Sequence, residues 1–86
     1  MQIRNDLLND LLNDLQNADY HNYDTFPWLV VRAVTYLNVS NQYIADLFEV
    51  SEITVARWQN GTASPFPTVK KVIYNKFIEL INVVEE

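Results

Sequence analysis

Residues 40–61, SNQYIADLFEVSEITVARWQNG, carry the pattern that most constrains how this chain can fold. Two apolar stripes at helical spacing are separated by a short break: Ile44, Ala45, Phe48 and Val50, then Val55 and Trp58. Two brief helices whose stripes face each other across a tight turn form a helix-turn-helix. Ala45 falls where the two helices pass closest, because its small side chain lets the backbones approach.

The same segment contains the signals that start and stop both helices. Ser40 and Ser51 are each placed to cap a helix, since their hydroxyls can accept otherwise unpaired backbone N–H groups. Gly61, the only glycine in the chain, falls where the second helix must end. Glycine takes the left-handed conformation there without steric cost.

These residues resemble the phage Cro- and repressor-type (Xre-type) helix-turn-helix family. The resemblance is carried by Ala45, the Val-Ser turn at 50–51, the Ile-Thr-Val run at 53–55, the WQNG run at 58–61, and Pro65. It is strong over about half of the chain and extends over residues 28–77 with the flanking helices. It implies a lambda-repressor-like fold and a DNA-binding function. Where the family usually has a glycine in the turn this chain has Glu49, and a left-handed residue with a side chain costs roughly 1–2 kcal/mol.

The rest of the chain predicts an all-α domain of five helices spanning residues 1–86. An amphipathic helix is expected within residues 1–19, a core helix and the helix-turn-helix within 27–61, and a C-terminal helix at 68–84. Pro27 suits the first turn of the core helix, with Asp24 or Thr25 as its cap. Arg32 is the one charge of the core helix and must reach solvent, an acid or a phosphate. The inner side of the C-terminal helix is expected to comprise Val69, Val72, Ile73, Phe77, Leu80, Ile81 and Val84.

The N-terminal segment repeats a four-residue unit, NDLLNDLLNDLQ, and has two interpretations. Its leucines and Ile3 cover nearly half of a helix surface, which suits a helix packed on the domain with the aspartates in solvent. The same leucines could instead form a dimer or partner contact. We favour packing, because so small a domain needs these residues for its core.

The composition excludes several classes of site. The chain has no cysteine and a single histidine, His21, so neither a thiolate metal site nor a histidine-based catalytic group is expected. One glycine cannot form a glycine-rich phosphate loop. No stretch is apolar for long enough to cross a membrane, and the start lacks the apolar core of a signal peptide. We therefore expect a cytoplasmic protein that is not an enzyme and has no cofactor.

The net charge of −5 argues against an indiscriminate nucleic-acid binder, but the acidity lies mostly outside the helix-turn-helix. Residues 38–71 are neutral, with three acids and three bases: Asp46, Glu49, Glu52, Arg57, Lys70 and Lys71. A DNA-facing surface there would be sparing in charge.

On a helical projection of residues 51–60, Ser51, Val55 and Trp58 face the core. The opposite side carries Ile53, Ala56, Arg57 and Asn60, with Glu52 at its edge. The resemblance implies that bases are read by Glu52, Ile53 and Arg57, and that phosphates are held by Asn41, Ser51 and Asn60. Ala56, on the same base-facing side, leaves room for close approach. Lys70 and Lys71 could add phosphate contacts. The bland alternative is a surface ion pair between Arg57 and Glu52 or Glu49, with Ile53 a scattered exposed apolar residue.

Two functions remain open. One is a sequence-specific regulator, in the form of a repressor that binds a short palindrome on double-stranded DNA as a homodimer. We expect the dimer surface on the last helix around Ile81, Val83 and Val84, with the leucine face as the alternative. The other is a small acidic interaction module that engages a basic partner through the N-terminal helix or mimics nucleic acid.

Overall fold

Five α-helices make up the regular structure in the computed structural model, which describes the backbone of residues 2–84 and the side chains of residues 6–84. The helices are α1 (Gln2–Gln16), α2 (Thr25–Leu37), α3 (Asn41–Phe48), α4 (Glu52–Asn60) and α5 (Pro67–Val84). No strand occurs in residues 2–84. The all-α class and the number of helices predicted from the sequence are confirmed. None of these helices is long and apolar enough to span a bilayer.

The leucines of α1 pack on the domain, against α2 and α5. Leu8 and Leu11 are fully buried and Leu15 is nearly so, whereas Leu7 remains 37% exposed. The packing interpretation is therefore confirmed for Leu8, Leu11 and Leu15, which are not free to form a separate interface. Ile3, expected on the same face, lies outside the described side chains.

Arg32 links α2 to α1 through a salt bridge. Its Nη1 donates to Oδ2 of Asp14 at 2.7 Å, and its guanidinium carbon lies 4.2 Å from the centre of the Trp28 ring. The side chain is only 10% exposed. Of the three destinations that the sequence left open for Arg32, an acid is the one observed.

The start of α2 differs from its prediction. The helix begins at Thr25, two residues before Pro27. Asp24 makes no capping hydrogen bond, and the buried hydroxyl of Thr25 has no partner among the described residues. Neither predicted cap is formed. The other end is closed as expected for a helix stop, because Asn38 adopts the left-handed conformation with φ 57°.

The buried face of α5 is also rotated from its prediction. The core residues are Lys70, Ile73, Tyr74, Phe77 and Ile81. Ile73, Phe77 and Ile81 were placed correctly, but three predicted inner valines, Val69, Val72 and Val84, are 43%, 61% and 47% exposed. Both sides of α5 carry apolar residues, so periodicity alone does not select the buried one. Tyr74 stabilises the observed orientation of α5, because its ring packs against those of Tyr20 and Phe26, at 5.7 and 6.0 Å between centroids.

Candidate nucleic-acid interface

The two helices α3 and α4 are joined by only three residues, 49–51, and each is closed by the caps that the sequence predicted. The Ser40 hydroxyl accepts from the backbone N–H of Tyr43 at 3.0 Å, and the Ser51 hydroxyl accepts from that of Thr54 at 3.1 Å. Gly61 ends α4 with φ 80°. The capping predictions for Ser40, Ser51 and Gly61 are confirmed, and they fix where the exposed helix α4 begins and ends.

The turn holds Glu49 in the left-handed conformation, with φ 57° and ψ 45°. The chain reverses through a hydrogen bond from the Val50 N–H to the Ala45 carbonyl, at 2.9 Å. This is the geometry that a glycine would adopt without strain, and here a residue with a side chain adopts it. The conformation of Glu49, which the sequence left open, is thereby settled.

The inner side of α4 sets its rotation about its own axis. Val55 is fully buried and Trp58 is 5% exposed, as predicted, whereas Ser51, which was predicted to face the core with them, is exposed at the start of the helix. The Trp58 ring meets Phe26 of α2 and Phe48 of α3 edge to face, with centroids 5.9 and 6.1 Å apart. Aromatic pairs in this arrangement are specific in geometry, so α4 has little freedom to turn.

The outer side of α4 presents Glu52, Ile53, Ala56, Arg57 and Asn60, all of them exposed. Ile53 is 62% exposed, a large apolar side chain left in water on a short helix. Within residues 6–84, Arg57 has no carboxylate within ion-pair distance. The surface ion pair with Glu52 or Glu49, the bland alternative for this arginine, is therefore not formed, and its five N–H donors are available.

A hydrogen bond that the sequence did not predict ties the end of α4 to the start of α3. Nε2 of Gln59 donates to Oδ1 of Asn41 at 2.6 Å. Because Asn41 accepts through its oxygen, its amide nitrogen keeps its donors. Nothing in the local pattern distinguishes Gln59 from its polar neighbours, since its partner is 18 residues away.

The remaining predicted phosphate contacts are exposed polar residues at the two ends of α4. The Asn60 oxygen accepts from the N–H and the hydroxyl of Thr62, at 3.0 and 2.7 Å, and its amide nitrogen donates to no acceptor within residues 6–84. The Ser51 hydroxyl is occupied by its cap and lies 3.0 Å from that of Thr54. Of the predicted set, Asn41 and Asn60 therefore have unused donors.

The predicted phosphate contact of Lys70 is wrong. It was expected to reach a phosphate, but the residue is fully buried. Its ammonium nitrogen lies 4.0 Å from the centre of the Tyr23 ring and has no hydrogen-bond partner in residues 6–84. Burial lowers the pKa of Lys70, and the charge of Asp19 partly opposes this. The neighbouring Lys71 is exposed, as a phosphate contact requires.

The burial of Lys70 changes the charge that residues 38–71 show to solvent. Arg57 and Lys71 are the exposed cations of this segment, against three exposed acids, Asp46, Glu49 and Glu52. The segment is neutral in sequence but slightly acidic at its surface. A surface of this charge would attract a phosphate backbone only weakly.

No group of three metal-binding side chains comes together in the described part of the chain. Comparison with models of known families, with curated proteins and with solved structures finds no match to this chain.

Proposed function

We propose that this protein is a sequence-specific DNA-binding transcriptional regulator of the Cro/repressor type, acting as a homodimeric repressor on a short palindromic operator. The observation that carries the proposal is the outward face of α4, where Ile53 and an unpaired Arg57 stand exposed on a helix whose other side is locked into the core. A short rigid helix with such a face suits insertion into a major groove.

The outward side chains offer three kinds of contact to base edges. Arg57 can donate two hydrogen bonds to the N7 and O6 atoms of guanine. Glu52 can accept from the amino group of cytosine, and Ile53 can pack on the methyl group of thymine. Ala56, between them, keeps the helix backbone close to the groove floor. This mixture discriminates between sequences better than a row of lysines would.

The polar residues around α4 suit a positioning role. The unused amide donors of Asn41 and Asn60 lie at the start of α3 and the end of α4, which the hydrogen bond between Gln59 and Asn41 holds together, and Lys71 adds one exposed cation. Contacts of this kind to phosphates fix the register of the helix on the duplex without reading sequence. Their small number agrees with the weakly acidic surface of residues 38–71.

The direct test is selection of bound duplexes from a random pool by the full chain, followed by footprinting of the winners. We expect a palindromic consensus whose half-sites lie about one helical turn apart, roughly 34–36 Å. Asn9→Ala, at an exposed position on α1, serves as a control and should select the same consensus. A pool that shows no enrichment after several rounds contradicts the proposal.

A second candidate function rests on α1, where Asp6 and Asp10 are exposed on a chain of net charge −5. An acidic helix face can bind a basic partner protein or imitate a phosphate backbone. If the chain selects no duplex but binds a basic polypeptide, and Asp6→Asn with Asp10→Asn removes that binding, this second function replaces the first.

A further inference from the structure

The outward side of α5 carries a pattern that is symmetric on reversal of the chain direction. Val72, Lys76, Glu79 and Val83 follow one another at intervals of four, three and four residues, and we call them the outer stripe of α5. At 100° per residue these four positions fall within an arc of about 60°. They face away from the buried row of α5 that includes Phe77.

The stripe is open to solvent. Val72 and Val83 are 61% and 63% exposed, and the side chains of Lys76 and Glu79 are 36% and 66% exposed. Single exposed valines are ordinary on any protein surface. Here two of them flank an opposite-charge pair symmetrically on one helix, about three turns from end to end.

We infer that the outer stripe of α5 docks a second copy of this chain, with the two α5 helices antiparallel about a two-fold axis that passes between Lys76 and Glu79. A two-fold interface uses the same patch on both subunits and must complement itself. The inference deepens the homodimer of the proposed function by naming its surface and its orientation.

Charge and apolar complementarity both favour the antiparallel arrangement. Reversal of the second helix sets Val72 opposite the partner's Val83 and Lys76 opposite the partner's Glu79, twice across the axis. A parallel arrangement would instead set lysine against lysine and glutamate against glutamate. Like charges in direct opposition disfavour an interface, so the parallel alternative is disfavoured by the same residues that support the antiparallel one.

The same residues already contact each other within one subunit. Nζ of Lys76 donates to Oε1 of Glu79 at 3.2 Å. Such an exposed pair contributes little to the stability of a single chain. In the dimer the two pairs form a cluster of four alternating charges, partly shielded from water by the valines, where each attraction is stronger.

This surface differs from the one that the sequence favoured. Ile81 was expected at the interface with Val83 and Val84, but Ile81 is fully buried in the core of its own subunit. A charged residue at position 81 would therefore unfold the domain rather than test its assembly. Val83 is the one residue of that set that belongs to the outer stripe.

The experiment is sedimentation equilibrium of the full chain without DNA, over nanomolar to high micromolar concentrations. The wild type should dimerise, and Val72→Asp should raise the dimer dissociation constant by about tenfold or more. Asn75→Asp adds the same charge to an exposed position of α5 outside the stripe and should leave the constant unchanged. Melting curves on each variant verify that the fold is retained.

Charge exchange tests the orientation. Lys76→Glu and Glu79→Lys should each weaken dimerisation by about tenfold, because each places two pairs of like charges in contact. The double variant should restore the wild-type constant. Weakening by both single changes without recovery in the double variant overturns the antiparallel pairing.

A wild type that stays monomeric at every concentration, or a Val72→Asp variant that dimerises normally, overturns the surface itself. These outcomes are separable from failure of the proposed function. A monomeric Val72→Asp variant that still footprints a single half-site shows that DNA reading survives without this interface, whereas dimerisation without any DNA binding leaves the interface intact and removes the regulator.

Discussion

The ammonium nitrogen of Lys70 lies 4.0 Å from the centre of the Tyr23 ring, so a residue of the α1–α2 linker covers a buried cation on α5. The centre of the Phe26 ring lies 5.5 Å from the same ammonium nitrogen. Cation–π contacts offset part of the cost of removing the charge from water, but Nζ has no hydrogen-bond acceptor in the described residues. The lowered pKa of Lys70 indicates that desolvation outweighs the compensation.

We therefore expect Lys70→Met to stabilise the domain. Methionine keeps the volume and flexibility of the side chain and removes the buried charge. The melting temperature at pH 7 should rise by roughly 4–8 °C, the change that about 1 kcal/mol produces in a domain of this size. The sign of the pH dependence follows from the lowered pKa: as pH approaches 10.5, the unfolded chain binds more protons at Lys70, so this group adds stability with rising pH. The variant should lack that contribution, and a lower melting temperature for Lys70→Met at pH 7 contradicts the argument.

The neighbouring Tyr74 has the opposite dependence at higher pH. Burial raises its pKa to about 12, and the nearby Tyr20 adds to the shift. In the unfolded chain tyrosine ionises near pH 10, so between about pH 10 and pH 12 the folded state binds more protons and stability falls as pH rises. Tyr74→Phe should abolish this fall, as followed by circular dichroism from pH 9 to pH 12. Tyr43→Phe, at an exposed tyrosine, is the matched control and should retain it.

The left-handed turn at Glu49 gives a third prediction. Glu49→Gly should stabilise the domain by about 1 kcal/mol, since glycine has no Cβ to clash at φ 57°. Asn38→Gly, at the same φ, should gain less, because asparagine tolerates this conformation better. Gly61→Ala should lower the free energy of unfolding by about 1 kcal/mol because of the backbone conformation at φ 80°. The added Cβ itself would not clash, since its nearest neighbour is Pro27 at an ordinary contact distance of 3.6 Å. Urea unfolding measures all three, and a loss of stability in Glu49→Gly would show that its side chain contributes more than its backbone costs.

The sequence predicted those features that depend on a few adjacent residues. Ser40, Ser51 and Gly61 act on the backbone within three or four positions of themselves, so their roles could be inferred without a tertiary structure. The inner face of α4 was equally clear, because Val55 and Trp58 are the large apolar residues on that side. What the sequence could not resolve were choices between two sides of one helix and contacts between distant segments.

The face of α5 illustrates the first difficulty. Val69 and Val72 are more apolar than Lys70, yet Lys70 is inside, because Tyr23 and Phe26 supply rings for its ammonium group. No rule of periodicity places a lysine in a core when valines are available on the next stripe. The hydrogen bond between Gln59 and Asn41 illustrates the second difficulty, a contact between distant segments, since it joins two ordinary polar residues that lie 18 positions apart in the sequence.

The fourth prediction concerns salt. Arg57 and Lys71 are the only exposed cations in residues 38–71. The proposed dimer therefore has few positive charges with which to neutralise DNA phosphates. The logarithm of the operator association constant should fall against the logarithm of salt concentration with a slope of about −2 to −4, since each neutralised phosphate contributes about −0.9. Lys71→Ala should weaken binding to all duplexes alike and make the slope of the salt dependence shallower. Fluorescence anisotropy between low and moderate salt measures this, and a slope steeper than about −6 would indicate that cations elsewhere in the chain bind the backbone.

The last prediction addresses base reading by Arg57. Arg57→Ala should weaken binding to the selected operator by about 1–3 kcal/mol and relax the preference at one position of each half-site, because a bidentate contact to guanine is lost. The melting temperature should not change by more than a degree or two, since the side chain is exposed and has no ion pair in residues 6–84. Arg57→Lys is the informative control: it keeps the charge but loses the planar fork, so nonspecific affinity should survive while selectivity at that position falls. If Arg57→Ala loses affinity equally for operator and random duplex, Arg57 contacts phosphate and the base-reading role passes to Glu52 and Ile53. If the variant unfolds early with selectivity intact, α4 is not the reading helix.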